Sequence, residues 1–282
     1  MCKVGVVIGE IIKLEPRLIK EEELLLFHDK EYIEFVKRVS EIGYGYLDYG
    51  DTPAYKGVYE ASCYSAGSTL KAFEEVIKGE VDHAFNPSGG LHHAYKNRAA
   101  GFCVFNDPGL LIEYARKHYD MKKFLYVDID AHHGDGVYYS YEEDPYVYIV
   151  DFHEDGRYLY PGTGFEFEKG KGKAYGTKIN IPLKPYSTTE DVLKKLVEIE
   201  EFIYEIDFDL ILLQCGADGL KGDPLTHLQY TERVHEEVTR LLHKASHEKC
   251  KGRIIAMGGG GYNFENVAKA WVKVVETLAE DI

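Results

Sequence analysis

Long apolar runs are missing from this 282-residue chain. Val4 to Ile8 is too short for the core of a secretion signal and has no small-residue cleavage pattern after it. No stretch approaches the ~18 apolar residues of a membrane span, so the sequence predicts nothing that enters a membrane. Positive charge is also scarce: 33 Lys and Arg stand against 48 Asp and Glu, a net charge of -15. Sequence-independent nucleic-acid binding needs clustered cations and is excluded on that ground, whereas cationic substrates suit such a field. The five cysteines (Cys2, Cys63, Cys103, Cys215 and Cys250) are odd in number and scattered, with no C-x-x-C pair. That excludes a disulfide framework and a cysteine zinc site and points to a reducing cytoplasm. Amides are few, six Asn and two Gln beside 29% charged residues, a bias met in proteins from hot environments. No repeat, linker or low-complexity segment divides the chain, and 45% hydrophobic content is enough for one large core, so a single domain over 1–282 is expected.

What is present reads as α/β, a mostly parallel central sheet with helices on both faces. Short apolar runs alternate with amphipathic stretches. The runs predict strands at His83 to Asn86, Phe124 to Asp130, Val147 to His153, Lys178 to Leu183, Leu210 to Gln214 and Arg253 to Met257. Helical spacing of Val192, Leu196, Ile199, Ile203 and Ile206 predicts a helix over Asp191 to Ile206, with Ser187 and Glu190 as its capping box. Further helices are expected at Glu21 to Ile42, Glu60 to Gly79, Pro108 to Tyr119, Thr231 to Ala245 and Asn263 to Glu280.

The chemistry-bearing residues follow these strands. In open parallel sheets ligands bind beyond the carboxyl ends of the strands, and that is where Gly89-Gly90-Leu91-His92-His93, Asp128-Ile129-Asp130-Ala131-His132-His133-Gly134-Asp135, Cys215-Gly216-Ala217-Asp218 and Gly258-Gly259-Gly260-Gly261-Tyr262 fall. Alternation along a strand turns Asp130 and His132 to the same side, a pair of metal ligands. Asp218 is the best third ligand. Three protein ligands leave a coordination position for water, as catalytic ions require. Two carboxylates and an imidazole accept Zn²⁺, Fe²⁺, Co²⁺ or Mn²⁺; the competing reading is a buried carboxylate network. His92 and His93 titrate near neutrality and can exchange protons, with Asp128 and Asp135 available to orient their rings; the plainer reading is a pair that caps a turn. Tyr262, behind four glycines, can offer its hydroxyl to an oxyanion or pack behind a flexible turn. A phosphate-binding G-x-G-x-x-G pattern fails at Asn263.

Six ordered motifs, Pro87-Ser-Gly-Gly-Leu-His-His-Ala94, Gly101-Phe-Cys-Val-Phe-Asn-Asp107, Tyr126-Val-Asp-Ile-Asp-Ala-His-His-Gly-Asp-Gly136, Tyr160-Pro-Gly-Thr-Gly164, Gly216-Ala-Asp218 and Gly258-Gly-Gly-Gly-Tyr262, resemble the metal-dependent histone deacetylase superfamily, from about residue 15 onward. This superfamily includes acetoin-utilisation-type proteins and acetylpolyamine amidohydrolases. The resemblance implies that Asp130, His132 and Asp218 bind the catalytic ion, Zn²⁺ or Fe²⁺. It implies His93 as general base and acid, His92 as its electrostatic companion, Asp128 and Asp135 as their partners, and Tyr262 as oxyanion donor. The expected reaction is hydrolysis, by metal-activated water, of the acetyl amide of N-acetyl-lysine in proteins or of a small acetylated amine. Gly101, Phe102 and Tyr160 fall where the family lines its substrate channel, Asp51 resembles a rim residue that holds the substrate backbone, and Leu225 occupies the gatekeeper position. K⁺ is implied at Asp128, Asp130, His132, Asp151 and Phe152.

Some positions depart from the family pattern. Its usual opening strand and helix, with a His-Pro-Glu-Arg-Pro-like stretch and an arginine near the acetate exit, are expected to be absent here. Tyr160 stands for the usual Phe and Asp151 for the usual Ser; the second change places negative charge beside the implied K⁺. Leu225 replaces the Glu of polyamine-specialised vertebrate members. Arginase-type ureohydrolases share the D-A-H element, but their two Mn²⁺ need a second carboxylate at a spacing the Asp218 loop lacks. The remaining alternative is a catalytically impaired deacetylase homologue that binds ligand without turnover.

Overall fold

The structure, a computed structural model, describes residues 11–281. Six strands, β1 (His83–Asn86), β2 (Phe124–Asp128), β3 (Val147–Glu154), β4 (Lys178–Leu183), β5 (Leu210–Gln214) and β6 (Ile254–Met257), form one parallel sheet in the order β1-β6-β5-β2-β3-β4. The central strands are continuous apolar runs because both faces are covered. Phe124, Tyr126, Leu210 and Leu212 pack into one core, and Leu125, Val127, Ile211 and Leu213 into the other. The first core is closed by α2 (Lys30–Ile42), α3 (Val58–Lys78), α4 (Asp107–Tyr119) and α5 (Asp135–Tyr141), with the short α1 (Glu21–Leu24) beside them. The second is closed by α6 (Thr189–Glu205), α7 (Arg233–Cys250) and α8 (Phe264–Leu278). Pro182 is tolerated because β4 is an edge strand.

The chain runs outward from β2 through β3 to β4, then restarts at β5 on the other side of β2 and continues to β6. The sheet therefore reverses direction between β2 and β5. A crevice opens at such a switch point, beyond the carboxyl ends of the two strands, and the loops after β2 and β5 carry Asp130, His132 and Asp218.

The α/β class and the six strands stand as expected, with several local corrections. The helix expected over Glu21 to Ile42 is two helices. Between them His28 turns inward and its Nε2 accepts the Asn106 N–H at 2.9 Å, while the Asp29 N–H donates to the Lys96 carbonyl; these tertiary bonds outcompete helix continuation. Burial lowers the His28 pKa to about 3, which keeps that nitrogen an acceptor. The cap of α6 lies one residue later than Ser187 and Glu190: Asp191 Oδ2 accepts both the N–H and the hydroxyl of Thr188. β2 ends at Asp128, so Asp130 and His132 belong to a loop and not to an alternating strand. α5 has no counterpart among the expected helices, and α7 runs on to Cys250. The expected absence of the family's opening strand concerns residues 1–10, which lie outside the described residues. No helix among the described residues is long and apolar enough to cross a membrane.

Candidate active site

Asp130, His132 and Asp218 converge, their ligand atoms all within 4.8 Å of one another. His132 turns Nδ1 to Asp130 Oδ1 at 3.1 Å and to Asp218 Oδ2 at 2.8 Å. Each carboxylate is fixed from behind. Asp130 Oδ2 accepts N–H bonds from Gln214 Nε2 at 2.9 Å and Gly260 at 2.8 Å, and Asp218 Oδ1 accepts the Ala131 N–H at 2.8 Å. Both carboxylates are buried, and the His132 side chain keeps 12% of its exposure. Burial, then the Asp130 charge, pushes the Asp218 pKa up to about 7. Two buried carboxylates this close repel, and a divalent cation relieves that repulsion while using the donor types two Asp and one His provide. The residues present fit such an ion. Gly216 is required where it stands, because a Cβ there would run into the Asp130 carboxylate.

Two histidine–carboxylate pairs lie beside this cluster. His92 Nδ1 meets Asp128 Oδ2 at 2.7 Å and His93 Nδ1 meets Asp135 Oδ1 at 2.6 Å, with the imidazole centroids 4.1 Å apart. Both far nitrogens are thereby left for the cleft. Their titrations diverge. Burial lowers both, but the Asp128 and Asp130 charges outweigh it at His92 and raise that group to about 10; at His93 burial and the neighbouring His92 win, and its pKa falls below the ordinary value. Phenols complete both pairs: Tyr126 donates to Asp128 Oδ2 at 2.6 Å and Tyr95 to Asp135 Oδ2 at 2.7 Å.

Tyr262 presents its ring at the mouth, 38% exposed, with its backbone N–H held by Asp223 Oδ2 at 2.8 Å. Burial, followed by the Asp130 and Asp218 charges, raises its pKa. Leu225 is exposed beside it, its N–H on Asp223 Oδ1 at 2.9 Å. The Phe102 ring lies 5.9 Å from that of Tyr262 and the Tyr160 ring 5.2 Å from that of His93; both are half exposed. Gly101 has φ 53°, and a Cβ on it would collide with the His93 ring. Asp51 is at the rim: its carboxylate accepts the Thr52 hydroxyl at 3.2 Å, and Thr52 Oγ1 accepts the Phe102 N–H at 3.1 Å.

Asp151 and Phe152 lie behind the cleft on β3. Asp151 is buried and pairs with Asp128 across β2 and β3, and both of its oxygens are engaged, by His153 Nδ1 at 2.7 Å and by the Gly134 N–H at 2.9 Å.

Sequence reading missed Gln214, Asp223, Tyr95 and Tyr126. Gln214 had a signal, an amide closing the apolar run Leu-Ile-Leu-Leu in a chain with two glutamines. Asp223 and Tyr95 act through contacts 39 and 40 residues away and carry no local pattern, and Tyr126, two residues before Asp128 on the same strand, reads as an apolar core position.

The description "Histone deacetylase domain" matches residues 2–278. The acetoin utilization protein AcuC of Bacillus subtilis is 42% identical over 275 residues, spanning 94% of this chain and 70% of that protein. An HDAC homologue from Aquifex aeolicus superposes with a TM-score of 0.85 at 34% identity, over 94% of this chain and 72% of that one. An HDAC homologue complexed with SAHA superposes with a TM-score of 0.83 at 33% identity, over the same 94% and 72%. A family match across nearly the whole length, together with relatives that keep the same fold, means that the chain belongs to the histone deacetylase family, hydrolases of acetylated amides.

Proposed function

We propose that this protein removes acetate from the side-chain amide of N-acetyl-lysine in proteins or from a small acetylated amine, with His93 moving the proton and Tyr262 stabilising the oxyanion. The observation that carries this reading is geometric: two adjacent histidines, each held by its own carboxylate, stand beside a three-ligand metal cluster, and their surroundings push their titrations in opposite directions. Neighbouring groups with opposed titrations divide acid–base labour.

Asp130, His132 and Asp218 would hold a divalent cation, Zn²⁺ or Fe²⁺, which when bound would supply a Lewis acid for the acetyl carbonyl and for water. The protein's own groups do the rest. Asp135 accepts the Nδ1 proton of His93, so Nε2 is free to take a proton from the attacking water and then to give it to the departing amine. His92, held by Asp128, stays cationic and opposes the developing negative charge. The Tyr262 hydroxyl donates to the oxyanion; its raised pKa keeps it protonated across the working range. Water and amide become acetate and free amine, and His93 ends in its starting state.

Phe102 and Tyr160 flank the approach and suit the methylenes of an extended side chain. Gly101 lets that loop close on His93, Leu225 leaves the rim apolar, and Asp51 is placed to bind a backbone or an ammonium. The net charge of -15 favours basic peptides or amines. Four cysteines, Cys63, Cys103, Cys215 and Cys250, are free and buried, which supports the cytoplasm as compartment.

K⁺ fits less completely. Asp128, Asp130, His132, Asp151 and Phe152 offer oxygens suited to a hard cation, but the Asp151 carboxylate already has His153 and Gly134 as partners, so no step is drawn through this ion. Equal turnover in sodium, potassium and salt-free buffer removes it from the reading.

The test is acetate release from acetyl-lysine peptides and acetylated polyamines by protein stripped and reloaded with Zn²⁺ or Fe²⁺. Metal-dependent release supports the enzyme and assigns its substrate class. Folded, metal-loaded protein that binds these ligands without releasing acetate makes it a binding homologue instead.

A further inference from the structure

At the opposite edge of the sheet from the cleft, three imidazoles meet. His83 is the first residue of β1, and His243 and His247 are one turn apart on α7. The Nε2 of His247 lies 3.1 Å from the Nε2 of His83 and 3.1 Å from the Nε2 of His243, and all three ligand nitrogens fall within 4.8 Å of one another. The rings are steeply inclined, 86° between His83 and His243, 80° between His83 and His247, and 60° between His243 and His247. Their edges converge on one point instead of stacking.

Three features make this a donor set. The Nδ1–H of His83 donates to the Gly252 carbonyl at 2.8 Å, which fixes the tautomer and leaves Nε2 as a lone pair. A backbone carbonyl on the far nitrogen is the usual second partner of a metal-bound histidine. His243 is buried and His83 half-buried, which shields two of the three rings from bulk water. Spacing is the third. Two nitrogens about 2.05 Å from a tetrahedral zinc stand about 3.3 Å apart, and both 3.1 Å contacts are close to that separation. Without an ion, His247 Nε2 stands within hydrogen-bond distance of two other Nε2 atoms, of which that of His83 can only accept. Gly252, at φ 75°, packs against His83 and His247 and ties the β6 entry to the cluster. His243 and His83 are buried or half-buried, and His247 is exposed, so solvent reaches the cluster from one side and can fill a fourth position.

We propose that His83, His243 and His247 form a second divalent-metal site, selective for imidazole-preferring ions such as Zn²⁺, Cu²⁺ or Ni²⁺, which pins the end of α7 to the amino edge of the sheet. Imidazole-only donors suit these ions and disfavour Mg²⁺ and Ca²⁺. The site shares no residue with the cleft, so its occupancy is independent of deacetylation. Because the folded chain alone brings β1 and α7 together, the ion binds the native state in preference and raises the unfolding temperature.

Untagged protein is stripped of metal, dialysed against micromolar Zn²⁺ and its metal counted by plasma mass spectrometry. The native chain is expected to hold two ions, H247A one, H132A one and the double variant none. Zinc is expected to raise the melting temperature of H132A but not of the double variant. His247 is exposed and helical, so H247A keeps its fold, which circular dichroism checks. An H247A chain that still binds two ions, or an H132A chain that binds none, overturns this site; an H132A chain that keeps both counts against the catalytic ligand set instead. Magnesium that competes equally with zinc also overturns it.

Discussion

Replacing Tyr262 with Phe isolates one hydroxyl. Among the described residues that hydroxyl makes no hydrogen bond, the residue's backbone is held independently by Asp223, and its ring contacts Phe102 through an edge that Phe would keep. No buried polar partner is orphaned, so the change in folding stability is expected to stay within about 0.5 kcal/mol. The cost falls on the transition state. After burial, the charges that act most on the O–H are Asp130 and Asp218, both of which raise its pKa. Removing one preorganised oxyanion donor costs ~2.7 to 4 kcal/mol, or about a hundredfold to a thousandfold in kcat. KM is expected to change little, because the neutral ground-state carbonyl draws less on the donor than the oxyanion does. The assay is steady-state acetate release with metal content measured on the same sample, beside a denaturant melt. Unchanged kcat in metal-loaded, folded Tyr262→Phe would refute the donor role. A loss of metal would show that the residue supports the ion rather than the oxyanion.

His132→Ala removes the nitrogen that faces both carboxylates and is expected to abolish activity together with catalytic-site metal, read by mass spectrometry on untagged protein. The acid limb of kcat/KM should lie below pH 6.5: as the proposed base, His93 would work in its neutral form, its pKa is lowered chiefly by burial, and activity would be lost as pH falls through that lowered value. A nearby cation pushes in the same direction, so an acid limb above pH 6.5 would assign the base elsewhere. Gly101→Ala places a Cβ against the His93 ring at a positive φ. It should cost about 1–2 kcal/mol of stability and roughly tenfold or more in kcat through displacement of the base, checked by a melt and by turnover at saturating substrate.

How far the sequence revealed this site depended on how far apart its parts lie along the chain. Asp128 to Asp135 put two proposed metal ligands and both histidine partners within eight residues, and a parallel sheet leaves its strand-end loops on one edge, so convergence with Asp218, His92 and Tyr262 followed from class alone. The apolar strands were legible because a strand covered on both faces cannot tolerate polar interruptions. Where tertiary hydrogen bonds decided the backbone, local pattern failed. His28 breaks a periodic helix in order to accept from Asn106, 78 residues away, and Thr188 takes the capping position because Asp191 reaches both of its donors.

The two histidine groups show the same rule from opposite sides. His92 and His93 are adjacent, yet adjacency said nothing of their roles; their titrations diverge because Asp128 and Asp135, 36 and 42 residues on, meet them in unequal surroundings. His243 and His247 have helical ligand spacing, but a pair at that spacing on a partly exposed helix is ordinary until a third nitrogen arrives. That nitrogen is 164 residues from His247 and belongs to an edge strand whose place is set by pairing with β6. Register therefore decides whether the cluster exists. His83 sits opposite Ile254, immediately beyond the Gly252 turn that receives its Nδ1 proton, and a one-residue slip of β1 would turn the ring to the other face of the sheet. The catalytic loops, by contrast, gain their order from hydrogen bonds to one another, as where Gly260 donates to Asp130 and accepts from Ala217. Damage to the β1–β6 pairing should for that reason disperse the three imidazoles before it disturbs Asp130, His132 and Asp218.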